Sequence, residues 1–220
     1  MYLFSTPRII RKVHKRDLTW ELPNDDNNIY ITFDDGPNPE TTPFILNELN
    51  KYSAKATFFC LGKNIEANPS LYDSILQNGH SVGNHTFSHY NGWKTNTLKY
   101  LEDVENCNRM VRSPLFRPPY GKLKHAQLRE LKHRYSVIMW SSLSGDFDIE
   151  LDKDKCLDSL LNNPKSGDIV VFHDSIKAKA KVQYVLPLYL AYLLKNNFTA
   201  LAIPMTSFQN QPQINCKIKI

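Results

Sequence analysis

Apolar residues recur along the chain with two different periods, which predicts that strands and helices alternate. Short apolar runs rich in β-branched and aromatic residues are typical of buried strands. They occur at residues 29–33, 56–61, 81–84, 115–117, 136–140, 168–172 and 198–203. Apolar residues spaced three or four apart predict helices at residues 43–49, 69–78, 98–111, 126–134, 153–162 and 184–196. The last helix is expected to bend or to begin near Pro187.

About seven strand-then-helix units of this length favour either a parallel barrel or a doubly wound sheet. We predict the barrel, because residues with candidate chemistry follow the ends of many different strands, as they do in barrel active sites. Residues 29–204 are predicted to form this domain. Residues 1–28 are interpreted as a lead-in segment that packs across the bottom of the domain or lies on a membrane surface, and residues 205–220 as a tail.

The first strand ends in two adjacent carboxylates, Asp34 and Asp35, which Gly36 and Pro37 follow. Neighbouring carboxylates repel each other and need a cation, a proton or hydrogen bonds, so their best use is binding a metal or moving protons. The structural alternative is an Asx-type turn, in which one carboxylate only accepts hydrogen bonds from the backbone. This segment alone does not decide between the two interpretations.

Two histidines favour the metal site. His85 and His89 are four residues apart, so one helical turn would place both rings on the same face, as in zinc-binding pairs. Together with Asp35 they make three protein ligands and leave a position for water, which is the composition of a catalytic site. Two imidazoles and one carboxylate suit Zn²⁺ and also accept Co²⁺, Ni²⁺ or Fe²⁺.

Four segments occur in a characteristic order: Thr32 Phe33 Asp34 Asp35 Gly36 Pro37, the His85 and His89 pair, Arg117 Pro118 Pro119 Tyr120 Gly121, and the strand that ends in His173. Together they resemble the polysaccharide deacetylase family, which are carbohydrate esterases with a NodB-homology domain. The resemblance covers residues 29–203. It implies a distorted, incomplete (β/α)7 barrel of the TIM type. It also implies a metal-dependent hydrolase that removes N-acetyl groups from N-acetylglucosamine-type residues of peptidoglycan or chitin.

The resemblance also implies roles for the charged residues. Asp35, His85 and His89 would hold a divalent metal, which makes a bound water more acidic and polarises the carbonyl group. Asp34 would be the general base, since a carboxylate that is not bound to the metal can still accept a proton. Arg117 would pair with Asp34, and its guanidinium group would orient this carboxylate and keep it ionised.

Three further residues complete the implied chemistry. The backbone NH of Tyr120 would help to hold the oxyanion that forms when water adds to the carbonyl carbon. His173 would be the general acid, and its protonated ring would donate a proton to the departing amine. Asp146 would support His173. A satisfied core histidine is the structural alternative for His173, so this assignment depends on the resemblance.

The chain departs from the family pattern beside Asp146. Many family members have an Asp-Trp pair where this chain has Asp146 and Phe147, and phenylalanine keeps a stacking face but lacks the indole NH. The change bears on sugar specificity more than on the reaction. Five residues are predicted to contact the substrate, although ordinary barrel core is an equal alternative for the last two: Pro118, Tyr120, Phe147, Trp140 and Val171.

Net charge narrows the choice of partner. The chain has 27 Lys and Arg against 22 Asp and Glu, a balance of +5, and this mildly basic character suits an anionic polymer such as cell wall. No Arg/Lys-rich helix, aromatic platform or zinc-finger spacing supports nucleic acid. We therefore expect an acetylated glycan as partner and a monomeric protein. Two other functions stay open: an O-deacetylase of acetylated xylan or a similar glycan, and a non-catalytic carbohydrate-binding protein on the same fold.

Localisation is predicted from what the sequence lacks. No segment is apolar over the length that crosses a membrane, and the first residues do not have the apolar centre of a signal peptide. The four cysteines show no CxxC spacing, which favours thiols in a reducing compartment. We expect a cytoplasmic protein, or a cell-envelope or secreted one if an export signal was trimmed.

Overall fold

The described part of the computed structural model comprises residues 4–7, 9, 11 and 16–205, and its strands form one parallel sheet. The eight strands of this part are β1 Asn28–Asp34, β2 Thr57–Cys60, β3 Ser81–Asn84, β4 Leu115–Phe116, β5 Ser136–Val137, β6 Ser142–Leu143, β7 Ile169–His173 and β8 Thr199–Leu201. Their spatial order is β5-β4-β3-β2-β1-β7-β6, and β8 pairs with residues 28–30 of β1. The sheet is an open half-barrel, because β5 and β6 do not pair with each other. The predicted distorted, incomplete barrel is confirmed.

Helices connect the strands and cover the outside of the sheet. Within the described residues they are α1 Thr42–Lys51, α2 Gly62–Ala67, α3 Pro69–Gln77, α4 Thr97–Val111, α5 His125–Leu131, α6 Lys153–Leu161 and α7 Lys179–Lys195. Side-chain caps fix two of the starts, because Asn96 accepts hydrogen bonds from the first amides of α4 and Asp152 accepts them from the first amides of α6. In the part of the chain described here, no helix is both long and apolar enough to span a bilayer.

Strand β1 lies at the centre, between β7 on one side and β2 with β8 on the other. Its odd-numbered residues, Ile29, Ile31 and Phe33, are fully buried in the core that the helices cover. Tyr30 packs in a second core inside the half-barrel, with residues of β2, β4 and β7. Because side chains alternate along a strand, Asp34 points to the same inner side, at the carboxyl end. Burial on both faces explains why β1 is apolar or aromatic from Ile29 to Phe33 except at Thr32.

Four details of the secondary structure differ from the sequence prediction, and one of them is the short strand β6 Ser142–Leu143, which was not predicted. The run 136–140 is not one strand, since only Ser136–Val137 pairs with β4, and the backbone carbonyls of Ile138 and Met139 accept hydrogen bonds from the Arg117 side chain instead. The last helix begins at Lys179 and contains Pro187 in its interior. Helix α2 was not predicted, because six residues are too few to show a helical period.

The lead-in segment extends the sheet at both of its outer strands. Ser5 forms an antiparallel bridge with Ser142 of β6, and Thr19 forms a parallel bridge with Ile138 just after β5. Further on, the Leu22 amide donates to the Gly167 carbonyl near the amino end of β7. Gly167 has φ of +89°, and a Cβ there would collide with the Leu22 backbone. The predicted tail beyond residue 205, and most of the amphipathic part of the lead-in segment, lie outside the described residues.

Candidate active site

The ionisable residues at the carboxyl ends of the strands lie at one end of the half-barrel. Asp34 is the last residue of β1, and Asp35 follows it. The His85 and His89 pair follows β3, Arg117 follows β4, and His173 is the last residue of β7. A cavity of about 670 Å³ opens at this end, and Asp34, Asp35, both histidines of the pair and His173 line it. The structure therefore brings these sequence-predicted residues to one place, with Arg117 and Asp146 directly behind them.

Asp35, His85 and His89 lie close enough to share one metal ion. One potential ligand atom from each lies within 4.8 Å of the other two. The Asp35 Oδ1 atom is 3.1 Å from His89 Nε2 and 3.6 Å from His85 Nε2. This oxygen is buried, and no described residue donates a well-formed hydrogen bond to it. Burial opposes the ionisation of Asp35, but His89, His173 and His85 outweigh this effect and hold its pKa well below the usual range.

The His85 ring is fixed in the orientation that a metal ligand needs. It is buried, and its Nδ1 atom donates a hydrogen bond to the Arg117 carbonyl at 2.8 Å, which leaves the Nε2 lone pair directed towards Asp35. Burial lowers the pKa of His85 to about 4, so the ring is neutral at neutral pH. A neutral imidazole with a free Nε2 atom can bind a cation without first losing a proton.

The histidine pair does not lie on a helix, so that part of the sequence prediction was wrong. Thr86 and His89 have φ values of 67° and 62°, which are left-handed and incompatible with a continuous helical turn. Hydrogen bonds close the loop instead: Asn84 Oδ1 accepts from the Thr86 amide, and Thr86 Oγ1 accepts from the His89 amide. The Asp103 carboxylate of α4 accepts hydrogen bonds from the two amides between Thr86 and His89, those of Phe87 and Ser88.

Four of the nine described non-glycine residues with left-handed backbone lie around the cavity. Asp35 has φ of 80° and Tyr120 has φ of 60°, in addition to Thr86 and His89. Such conformations cost non-glycine residues about 1–3 kcal/mol each, and they persist only where surrounding contacts impose them. Here one hydrogen bond restrains the first of these residues, since Asn64 Nδ2 donates to the Asp35 carbonyl at 2.6 Å. Strain of this kind is typical of functional sites, where it aims side chains that relaxed turns would misplace.

Asp34 and Arg117 form a buried ion pair beside these three residues. The Arg117 side chain is completely buried, and its Nη1 atom donates to Asp34 Oδ1 at 2.8 Å and to Thr32 Oγ1 at 2.6 Å. Its other nitrogens donate to the carbonyls of Ile138 and Met139, and its guanidinium group lies 4.2 Å from the centre of the Phe59 ring. Every polar group of the arginine thus has a partner, which is the condition for a stable buried charge.

His173 and Asp146 form a second ion pair on the other side of Asp34. Asp146 is fully buried, and it accepts hydrogen bonds from His173 Nδ1 at 2.8 Å and from the His173 backbone amide at 2.7 Å. Burial by itself lowers the pKa of His173, but the charge of Asp146 and its hydrogen bond outweigh burial and raise the pKa to about 9. The ring is therefore protonated at neutral pH, with Nε2 available to donate.

Aromatic and apolar side chains form the cavity wall. Tyr120, Trp140, Phe147 and Val171 line it, as the sequence predicts. The Tyr120 ring packs on His89 with centroids 4.7 Å apart, and the Phe147 ring packs on His173 with centroids 4.9 Å apart.

Pro118 departs from the prediction, because it is buried and does not line the cavity. Its carbonyl accepts a hydrogen bond from Gly121 and closes the turn that carries Tyr120. Gly121 has φ of +65° and touches the Trp140 ring so closely that a Cβ would not fit. The structure thus places Pro118 behind the wall that it was predicted to form.

Sequence reasoning missed the residue that follows His173. Asp174 is buried and accepts hydrogen bonds from the Thr41 and Thr42 hydroxyls at the start of α1, the second of them at 2.5 Å. Its backbone amide donates to the Asp34 carbonyl at 2.7 Å, and its carboxylate leaves no room for a Cβ at Gly36. Asp174 therefore ties β7 to the loop that carries Asp35. The pair Thr41 and Thr42 before a helix was the available signal, but it suggests only a helix cap.

The described donor set fits a divalent cation. Asp35 offers a buried carboxylate oxygen without a hydrogen bond, and His85 offers a neutral nitrogen whose tautomer is fixed. One carboxylate and two imidazoles form a common set for zinc and for other first-row metals. With His89 they form an open face towards the cavity, on which further ligands could bind.

Comparison with known proteins agrees with this geometry. The family model described as Polysaccharide deacetylase matches residues 21–136. A peptidoglycan-N-acetylglucosamine deacetylase of Bacillus cereus is 35% identical over 188 residues, which is 82% of this chain and 88% of the relative. A chitooligosaccharide deacetylase of Azorhizobium caulinodans is 34% identical over 161 residues, which is 67% of this chain and 74% of the relative.

A solved structure shares the whole fold. The crystal structure of a peptidoglycan N-acetylglucosamine deacetylase in complex with 4-naphthalen-1-yl-N-oxidanyl-benzamide superposes with a TM-score of 0.81. It is 29% identical in sequence, and the match covers 93% of this chain and 97% of that one. The open half-barrel, including the strands that carry the candidate site, is therefore an architecture already observed in an enzyme of similar size.

Proposed function

This chain belongs to the polysaccharide deacetylase family, and on that premise we propose that it is a metal-dependent hydrolase that removes N-acetyl groups from N-acetylglucosamine-type residues of a polysaccharide. One observation carries the proposal: the candidate base, the candidate acid and three candidate metal ligands line a single cavity. Asp34, which pairs with Arg117, and His173, which pairs with Asp146, line the same cavity as Asp35. The His173 ring carries the proton that the acid of amide hydrolysis must donate.

Asp35, His85 and His89 would hold the cation. When bound there, a divalent cation increases the acidity of a water molecule and polarises a carbonyl oxygen. The remaining polar residues of the site act on protons. Asp34 takes the proton that water loses as it adds to the acetyl carbonyl carbon, and the Arg117 hydrogen bond orients this carboxylate.

His173 supplies the proton that the leaving amine needs. The carbon–nitrogen bond breaks when the nitrogen receives the Nε2 proton of the His173 ring, and acetate and a free amine leave. Asp146 keeps this ring protonated before the transfer and fixes its tautomer. Trp140, Phe147 and Val171 form an apolar wall against which an acetyl methyl group can pack.

Acetate release tests the proposal directly. The substrates are chitooligosaccharides, peptidoglycan fragments and acetylxylan, each assayed with and without a chelator. We expect acetate from the N-acetylated glycans and loss of this activity with chelator, restored by added Zn²⁺ or Co²⁺. Release from acetylxylan alone would support the O-deacetylase alternative, and release from none of them would support a non-catalytic protein.

A further inference from the structure

Three lysines surround the mouth of the cavity on loops that follow three different strands. Lys63 lies in the first turn of α2, after β2; Lys122 follows the turn after β4; and Lys177 lies between β7 and α7. All three line the cavity, and their positions around the sheet place them on different sides of the opening. Lys63 and Lys177 are exposed, whereas Lys122 is half-buried.

None of the three forms an ion pair with a carboxylate among the described residues. The nearby Glu40 does not compensate them, since it pairs with Lys179 at 2.8 Å. The Lys122 ammonium group lies 5.1 Å from the centre of the Trp93 ring, a contact that holds the side chain in place and leaves its charge intact.

The catalytic carboxylates do not compensate these lysines either. Asp34 is paired with Arg117, and Asp146 is paired with His173. Asp35 is the third carboxylate, and in the proposed function it is bound to a divalent cation. The mouth therefore carries three positive charges in excess, and such a concentration of one sign at an opening attracts anionic groups and speeds their association.

We propose that this rim of lysines selects glycans that carry carboxylate groups on the sugars next to the acetylated one. The inference rests on the proposed deacetylase function and specifies its substrate. A lactyl ether or an attached peptide would supply such carboxylates, whereas chitin and acetylxylan chains have no anionic group to pair with the rim. Lysine suits this task because its flexible stem lets a point charge follow carboxylates whose positions vary along a polymer.

Two substrates that differ only in charge test the rim. One is a tetrasaccharide of alternating N-acetylglucosamine and N-acetylmuramic acid, and the other is the same molecule with its lactyl carboxylates converted to neutral amides. The kcat/KM for acetate release is measured for the wild-type protein, for Lys63→Gln, Lys122→Gln and Lys177→Gln, and for the triple variant. Lys195→Gln is the control, since this exposed lysine ends α7 far from the mouth.

We expect the wild type to prefer the anionic substrate, and each substitution to lower kcat/KM on it about 1.5- to 5-fold, which is the range for one exposed ion pair. The triple variant should lose roughly tenfold on the anionic substrate and little on the neutral one. Added salt should reduce the preference of the wild type, because it screens exposed charges. The control should behave as the wild type does.

Two results separate the two levels of the proposal. Equal kcat/KM on both substrates, or the same loss on both in the triple variant, would overturn the selective rim and leave the deacetylase function intact. If neither substrate releases acetate, the deacetylase function is overturned, and the inference about the rim is withdrawn with it.

Discussion

Replacing Asp146 by asparagine removes one negative charge from the candidate site with almost no change of shape. Asp146 is fully buried and accepts two hydrogen bonds from His173, one from the ring and one from the backbone. Beside this carboxylate the pKa of His173 is about 9, although burial opposes the charged form. Without the carboxylate, burial is opposed only by the smaller effects of the Asp35 and Asp34 charges, and we expect the pKa of the ring to fall towards its ordinary value of about 6.5 or lower.

The change in protonation gives the size of the effect. With a pKa of about 9, roughly nine-tenths of the His173 rings carry a proton at pH 8. With a pKa of about 6.5, only about one ring in thirty does. If His173 is the proton donor, Asp146→Asn should therefore lower kcat/KM roughly thirtyfold at pH 8 and much less at pH 5.5, where both proteins are mostly protonated.

The assay is kcat/KM for acetate release from an N-acetylglucosamine oligomer, measured from pH 5.5 to pH 10. A bound cation would lower the pKa of His173 in both proteins, so the measured quantity is the displacement of the alkaline limb between them, expected at about 2.5 pH units. Glu150→Gln is the matched control, because it removes an exposed carboxylate from the same loop. An alkaline limb at the same pH in Asp146→Asn and wild type would refute the reasoning and remove His173 from proton transfer.

Four further predictions concern the same site. Asp34→Asn should keep bound metal and lose most turnover, whereas Asp35→Asn should weaken metal binding itself; metal analysis and acetate release on both variants distinguish the two roles, and the opposite pattern would reverse them. His85→Ala should lose metal and activity together, because two remaining ligands hold a divalent ion weakly; stoichiometric metal in this variant would exclude His85 as a ligand. His173→Ala should cost roughly 100- to 10,000-fold on an N-acetylglucosamine oligomer and clearly less on a nitrophenyl acetate, since nitrophenolate leaves with less help from an acid than an amine does; an equal loss on both would argue for a structural role. Because the folded-state pKa of His173 is raised, its contribution to stability is fully present below pH 6.5 and is lost as pH rises through about 9; urea unfolding should show that the wild type loses about 3 kcal/mol relative to His173→Gln across this window, and parallel pH profiles would contradict the shift.

The fold and the residues that make up the site could be predicted from the sequence, because both depend on local patterns. Apolar runs in β1 and β7 end in ionisable residues, and parallel strands bring their carboxyl ends to one edge. The order of the motifs then indicated the family. The sequence did not predict the local conformations that depend on tertiary contacts. The spacing of His85 and His89 is helical, yet the Asn84 and Asp103 side chains accept hydrogen bonds from the backbone between them and hold a loop with left-handed residues.

Residues that position the site residues, rather than belong to the site, were the hardest to recognise in the sequence. Asp174 follows a predicted site residue, but its partners Thr41 and Thr42 are more than 130 positions away in sequence. Asp103 occupies the buried side of α4 between Tyr100 and Val104, and a carboxylate on an apolar helix face is a sign that could have been noticed. The lysine rim could not be seen at all, because its members are unremarkable until the sheet places them around one opening.

The bridges formed by the lead-in segment bear on solubility. A half-barrel has two outermost strands whose backbone NH and C=O groups would be open to pairing with other molecules, which is a common cause of aggregation. In this protein Thr19 forms a β-bridge with Ile138 just after β5, and Ser5 forms one with Ser142 of β6. Residues upstream of the predicted domain thus cover both outermost strands of the half-barrel. A chain that begins at residue 29 would keep every candidate catalytic residue and lose this protection. Its failure would then be self-association rather than loss of chemistry.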